Sequence, residues 1–147
     1  MLRHPPILNA VALVAALGLS SCAKEKPEIL RCEGMVTLEN GHPADKYMSI
    51  FRASKSPETL EQFEPIEKKF HPICNKTDDT CVVFVSDKQI SARWSQNDPR
   101  IADIHENIDI ERQTGKLSRS TENKRDGSSI RATTSGSCLP SSDPSEP

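Results

Sequence analysis

Apolar and polar positions divide the chain into two regimes. From Ile7 to Leu19 apolar residues run almost unbroken, interrupted by Asn9, behind a start that carries Arg3 and His4. Beyond Leu19-Ser20-Ser21-Cys22 the chain is polar, and its apolar residues recur at every second position. That period of two is the mark of half-buried strands. Cys32, Val36 and Leu38 share one parity; Tyr47 to Ala53 reads as the next strand, apolar on both faces. Cys81-Val82-Val83-Phe84-Val85 is the densest run of β-formers and is expected near the centre of the sheet. Ile90, Ala92 and Trp94 alternate with Gln89, Ser91 and Arg93. Ile104, Ile108 and Ile110 hold one parity, with His105, Asn107, Asp109 and Glu111 on the other. Ile130, Ala132, Thr134, Gly136 and Cys138 form the last alternating stretch.

Turn residues separate these runs. Asn40-Gly41, Ser86-Asp87-Lys88, Asp98-Pro99 and Gln113-Thr114-Gly115-Lys116 each favour reversal, with Gly115 free to take positive φ. The last of these returns Leu117 to the isoleucine face. Arg119 and Thr121 continue that strand, and Glu122 to Ser129 reads as polar loop. Ser56-Pro57-Glu58 has the residues of a helix start, with Leu60 and Phe63 on one face and Pro65 as its end. Two turns make a marginal helix, so helix and structured loop both stand. Ile66 to Phe70 reads as a short strand that Pro72 confines to an edge or an end. The fold class is all-β: an antiparallel, mostly meandering sheet of six to eight strands, curled into a barrel or half-barrel.

The apolar run is too short for a membrane-spanning helix, which needs about 20 residues. With its positive start and the small residues that follow, it has the form of a secretory leader. Leu19-Ser20-Ser21-Cys22 resembles the lipobox of bacterial lipoproteins. The resemblance implies a diacylglyceryl group on the Cys22 sulfur, cleavage before Cys22 and acylation of the new amine. Ala23 stands where aspartate often marks inner-membrane retention, so the same resemblance implies the outer membrane, facing the periplasm. The implied divisions are a leader at 1–21, lipidated Cys22 with a tether at 22–30, a β domain at 31–138 and a disordered tail at 139–147.

About 126 residues follow Ser21, enough for one small domain. Its aromatic supply is thin: Tyr47, Phe51, Phe63, Phe70, Phe84 and Trp94. Small exported domains with thin cores use disulfides, and Cys32, Cys74, Cys81 and Cys138 make an even set. Three pairings are possible. We favour Cys74–Cys81, which closes a polar loop, and Cys32–Cys138, which ties the start of the fold to its end. Parity supports the long bridge, because both cysteines share faces with core residues. A bridge there requires the first and last strands to be neighbours. Zinc sites use closer cysteine pairs than these.

The run Ile108-x-Ile110-x-Arg112-x-Thr114-Gly115-x-Leu117, with Gly136-Ser137-Cys138 and the early Cys32-Glu33-Gly34, resembles a pattern in small proteobacterial envelope proteins. It implies a fold type and no activity.

The full chain is slightly acidic, with a formal net charge of −2, so nucleic acid is not an expected partner. There is no Gly-x-Ser-x-Gly elbow, phosphate-binding glycine loop or His-Glu-x-x-His motif. His42, His71 and His105 lack paired spacing and read as surface residues. His71 lies near Cys74, but that cysteine is better used in a disulfide. Asp78-Asp79 offers too few oxygens for calcium. Arg112 reads first as the partner of a carboxylate that fixes a hairpin, and second as contact for an anionic ligand. Trp94 reads first as core; it is the other candidate for ligand contact. No catalytic residue, metal site or cofactor is assigned. The expectation is a lipid-anchored, non-enzymatic envelope module that meets a protein or a small apolar ligand. A periplasmic peptidase inhibitor or a small envelope hydrolase is the alternative.

Overall fold

The period-two pattern becomes one antiparallel sheet in the computed structural model of the chain, which describes residues 25–39, 45–74, 80–98 and 102–142. The leader, Cys22, Asn40-Gly41 with His42, Asp78-Asp79, Pro99 and residues 143–147 lie outside the described residues. Nine strands are described: β1 (Glu28–Leu38), β2 (Asp45–Lys55), β3 (Glu58–Glu64), β4 (Lys69–Pro72), β5 (Thr80–Val85), β6 (Gln89–Asp98), β7 (Ala102–Glu111), β8 (Lys116–Arg125) and β9 (Ser128–Ser141). Their order across the sheet is β4-β3-β2-β1-β9-β8-β7-β6-β5. Two meanders are thus joined by the pairing of the first strand with the last. The sheet curls into a half-barrel, which brings β5 against β3 and β2.

The described strands number nine rather than six to eight, and β3 is the addition. Ser56-Pro57, joined by a cis peptide, forms the reversal between paired Lys55 and Glu58 instead of opening a helix. Leu60 and Phe63 then fall on opposite faces. Leu60 is buried in the core, and Phe63 packs against Phe70, ring centroids 5.2 Å apart. The Arg52 guanidinium covers Phe70 and binds Glu61. Pairing on both sides outweighs a two-turn helix, whose nucleation cost is poorly recovered at that length.

The run from Cys81 to Val85 also departs from expectation: it lies at the edge of the sheet, not at its centre. Curling supplies the burial that its place in the sheet does not. Val85 is buried and Val83 packs against the core, while Val82 and Phe84 face out at 66 % and 48 % exposure. The segments read as tether and tail overlap the sheet, because β1 begins at Glu28 and β9 continues to Ser141. Nor is Glu122 to Ser129 a loop: β8 and β9 pair through it, reversing at Asp126-Gly127, both at positive φ.

Alternation gathers one apolar layer inside the half-barrel. Leu30, Cys32, Phe51, Ala53 and Leu60 come from β1 to β3; Ile90, Ala92, Ile108, Ile110, Leu117 and Cys138 come from β6 to β9. Cys32 and Cys138 are direct cross-strand partners and form a disulfide with their Cα atoms 3.9 Å apart. The Cys74–Cys81 disulfide links the segment after β4 to β5.

The close approach of β1 and β9 depends on a glycine pair. Gly34 and Gly136 are register partners, two positions from the bridge. A Cβ on Gly136 would lie 2.0 Å from the Glu33 carbonyl oxygen and 2.6 Å from the Gly34 Cα. Both obstacles are backbone and cannot step aside. Gly136→Ala is therefore expected to cost about 3 kcal/mol, as overpacking does at a rigid site. Gly127→Ala, in open space but at φ +79°, should cost only about 1 kcal/mol. Denaturant melts of the two variants check the ranking; equal stability would contradict it.

One rim of the half-barrel is cross-braced. Lys55 pairs with Asp87 and Glu25, and its hydrogen bond and charge hold the Asp87 carboxyl below its ordinary range. Arg112 pairs with Glu28 and donates from Nη1 to the Ser86 carbonyl at 2.6 Å. The start of β1 and the β2–β3, β5–β6 and β7–β8 connections all meet here.

Candidate functional site

Away from the braced rim the inward positions change character. On β7 the inward series reads Ile104, Glu106, Ile108, Ile110, so a carboxylate interrupts an apolar face. On β8 the series reads Leu117, Arg119, Thr121, and a guanidinium follows the last core leucine. The register sets Ile108 opposite Arg119 and Glu106 opposite Thr121. Glu106 and Arg119 are therefore diagonal neighbours on one face, within reach of long side chains. Arg119 Nη2 donates to Glu106 Oε1 at 2.7 Å, and the Glu106 side chain is 6 % exposed.

Tyr47 completes the group from β2. Its hydroxyl accepts from Arg119 Nη1 at 2.8 Å, and the guanidinium carbon stands 5.4 Å from the ring centroid. Between β2 and β8 lie β1 and β9, and the register row that joins Tyr47 to Leu117 passes through Gly34 and Gly136. Two positions without side chains clear the floor over which Tyr47 and Arg119 meet. Burial opposes the charge on Arg119, but the Glu106 carboxylate and the Tyr47 hydroxyl outweigh it, and the pKa lies above the ordinary arginine value.

This pair forms one wall of a cleft of about 390 Å³. Trp94 of β6, the register partner of Glu106, lies beside it. The opposite wall is the β3–β4 hairpin, with Gln62, Phe63 and Glu64 before the turn, Glu67 in it, and His71, Pro72 and Ile73 after it. Glu64 accepts from the Ile66 amide at 3.1 Å and Glu67 meets His71 at 2.9 Å. The cleft is open to solvent, and charged side chains supply much of its lining.

Of the two positions read from sequence as ligand contacts, only Trp94 lies in the cleft, half-buried. Arg112 is at the braced rim, held by Glu28 and Ser86. His71 is in the cleft; His105 is not, and pairs with Asp103 at 3.2 Å. Sequence reading does not single out Glu106, Arg119, Gln62, Glu64 or Glu67 as contacts, and it weighs Tyr47 as a ligand platform but places it in the core, against which the ring packs. A signal exists for the first two: each is a charge on the parity of an apolar strand face. Among the described residues no group of three or more histidine, cysteine or acidic side chains is placed to hold a metal ion, and no helix is long and apolar enough to cross a membrane. No family model, curated protein or solved structure matches the chain.

Proposed function

We propose that the protein is a lipid-anchored, non-enzymatic binding module of the bacterial cell envelope, held through acyl chains on Cys22. The outer membrane, facing the periplasm, is the location favoured by Ala23. The observation that carries the binding half of this reading is the buried Glu106–Arg119 pair at the wall of an open cleft. A half-barrel that needed only stability would be served as well by apolar residues there, since a buried ion pair seldom exceeds them. The charged lining of the cleft favours a polar ligand over the apolar one expected from sequence.

Lipidation orients the module. Residues 23–27 separate Cys22 from the start of β1, a reach of at most about 22 Å at full extension. The braced rim, where β1 enters, then sits next to the membrane. The cleft, with the turn that carries Glu67, occupies the half away from it and opens to the aqueous side.

Cys22→Ser is expected to move the protein from the membrane fraction to the soluble periplasmic fraction; continued membrane association would refute the anchor. Crosslinking in intact cells through a photoreactive residue placed at Glu67, followed by mass spectrometry, tests the binding reading. Adducts at Glu67 and none from a probe at Lys88 on the braced rim are expected. Equal labelling from both positions would refute it.

A further inference from the structure

Resting on the reading of the cleft as a binding site, we propose that it receives a small water-borne organic cation, an amine or guanidine. Among the described residues, three carboxylates, Glu64, Glu67 and Glu106, share the lining with one guanidinium and one imidazole. That guanidinium is already committed, Nη2 to Glu106 and Nη1 to Tyr47. The imidazole of His71 is engaged with Glu67. An anion entering the cleft would meet surplus negative charge and cationic groups that already have partners. A cation would be drawn by that surplus, and Glu64, Glu67 and Glu106, although each has a partner, keep acceptor lone pairs to offer it.

The indole of Trp94 points the same way, independently of the charge count. It lies in the cleft directly across from Glu106 in the β6–β7 register. An aromatic face beside a buried carboxylate is the arrangement that takes an ammonium or guanidinium, through cation–π attraction and charge together. The volume, about 390 Å³, is at the small end for ligand clefts, which run from about 300 to 1,000 Å³. It fits a short polyamine or an amino-acid-sized cation. Glu106 forms the base, buried and fixed by Arg119. Glu64 and Glu67 stand at the hairpin rim, where the positive charge would first arrive.

Trp94 is the single tryptophan of the chain, so its fluorescence reports on the cleft alone. The purified full-length protein is titrated with spermidine, with citrate as the anionic counterpart and magnesium chloride at matched ionic strength as the charge control. A saturable change in Trp94 emission with spermidine, and none with either control, is expected. The double substitution Glu64→Gln/Glu67→Gln should weaken it about tenfold, equivalent to about 1.4 kcal/mol, without altering the melting temperature. No saturable response to spermidine overturns the proposal, as does a response that magnesium reproduces or that survives the double substitution unchanged. If citrate alone saturates, the cationic class is wrong and the binding reading stands. If neither probe acts and the Glu67 crosslinker captures nothing, both fall.

Discussion

Arg119→Met should cost about 3–5 kcal/mol of folding stability, the range for stranding one member of a buried charge pair. The Glu106 side chain is 6 % exposed and Arg119 supplies its ion-pair partner, so the variant leaves a carboxylate inside a sheet with no compensating charge. Burial favours the neutral form of a carboxyl group. The folded variant therefore takes up a proton more readily than its unfolded chain, loses stability as pH rises and regains part of it as pH falls. The deficit against the native protein should shrink on acidification. Replacing both partners, as Arg119→Met/Glu106→Leu, removes the stranded charge and should recover most of the loss. Denaturant melts at neutral and acidic pH for the two variants check this. A double variant no more stable than the single one would show that the pair holds the structure by more than mutual neutralisation.

Removing the Cys32–Cys138 bridge is the second large effect. The bridge spans 106 residues of sequence, and the chain-entropy model assigns about 4.7 kcal/mol to a loop near that size. Cys74–Cys81 spans only 7, for which the same model gives roughly 2.5 kcal/mol. The Cys32→Ala/Cys138→Ala protein should melt well below the Cys74→Ala/Cys81→Ala protein. The long bridge lies across the β1–β9 pairing, where the two meanders join. The short one secures the segment between β4 and β5. Equal melting temperatures for the two proteins would show that the β1–β9 pairing is held by its hydrogen bonds and glycine contact, without need of the cross-link.

The inside of the half-barrel is legible wherever one face is consistently apolar. Ile90, Ala92, Ile108, Ile110 and Leu117 are core by parity alone, and the parity of Cys32 and Cys138 makes neighbours of two strands at opposite ends of the chain. Other stretches mislead, for three reasons. Lys124, Arg125, Ser128 and Ser129 pair in a hairpin with little apolar alternation, so the stretch reads as loop, although Asp126-Gly127 carries a strong reversal signal. The β3 segment carries a local helix signal that two-sided pairing overrides. The β5 segment looks central because its residues suit burial, and the curl of the sheet, not its place in the order, buries them.

The cleft is the clearest division between the two levels. Charges at Glu106 and Arg119 on otherwise apolar parities are visible in one dimension, and so is the supply of carboxylates around Glu64. That these groups converge is not visible, because it depends on the stagger of nine strands and on how far the sheet closes. Period-two patterning determines which side of a strand a residue faces, a local matter of backbone pleat. Which residue stands opposite it across the lumen is set by register and curvature summed over the whole sheet, and only the folded chain decides that.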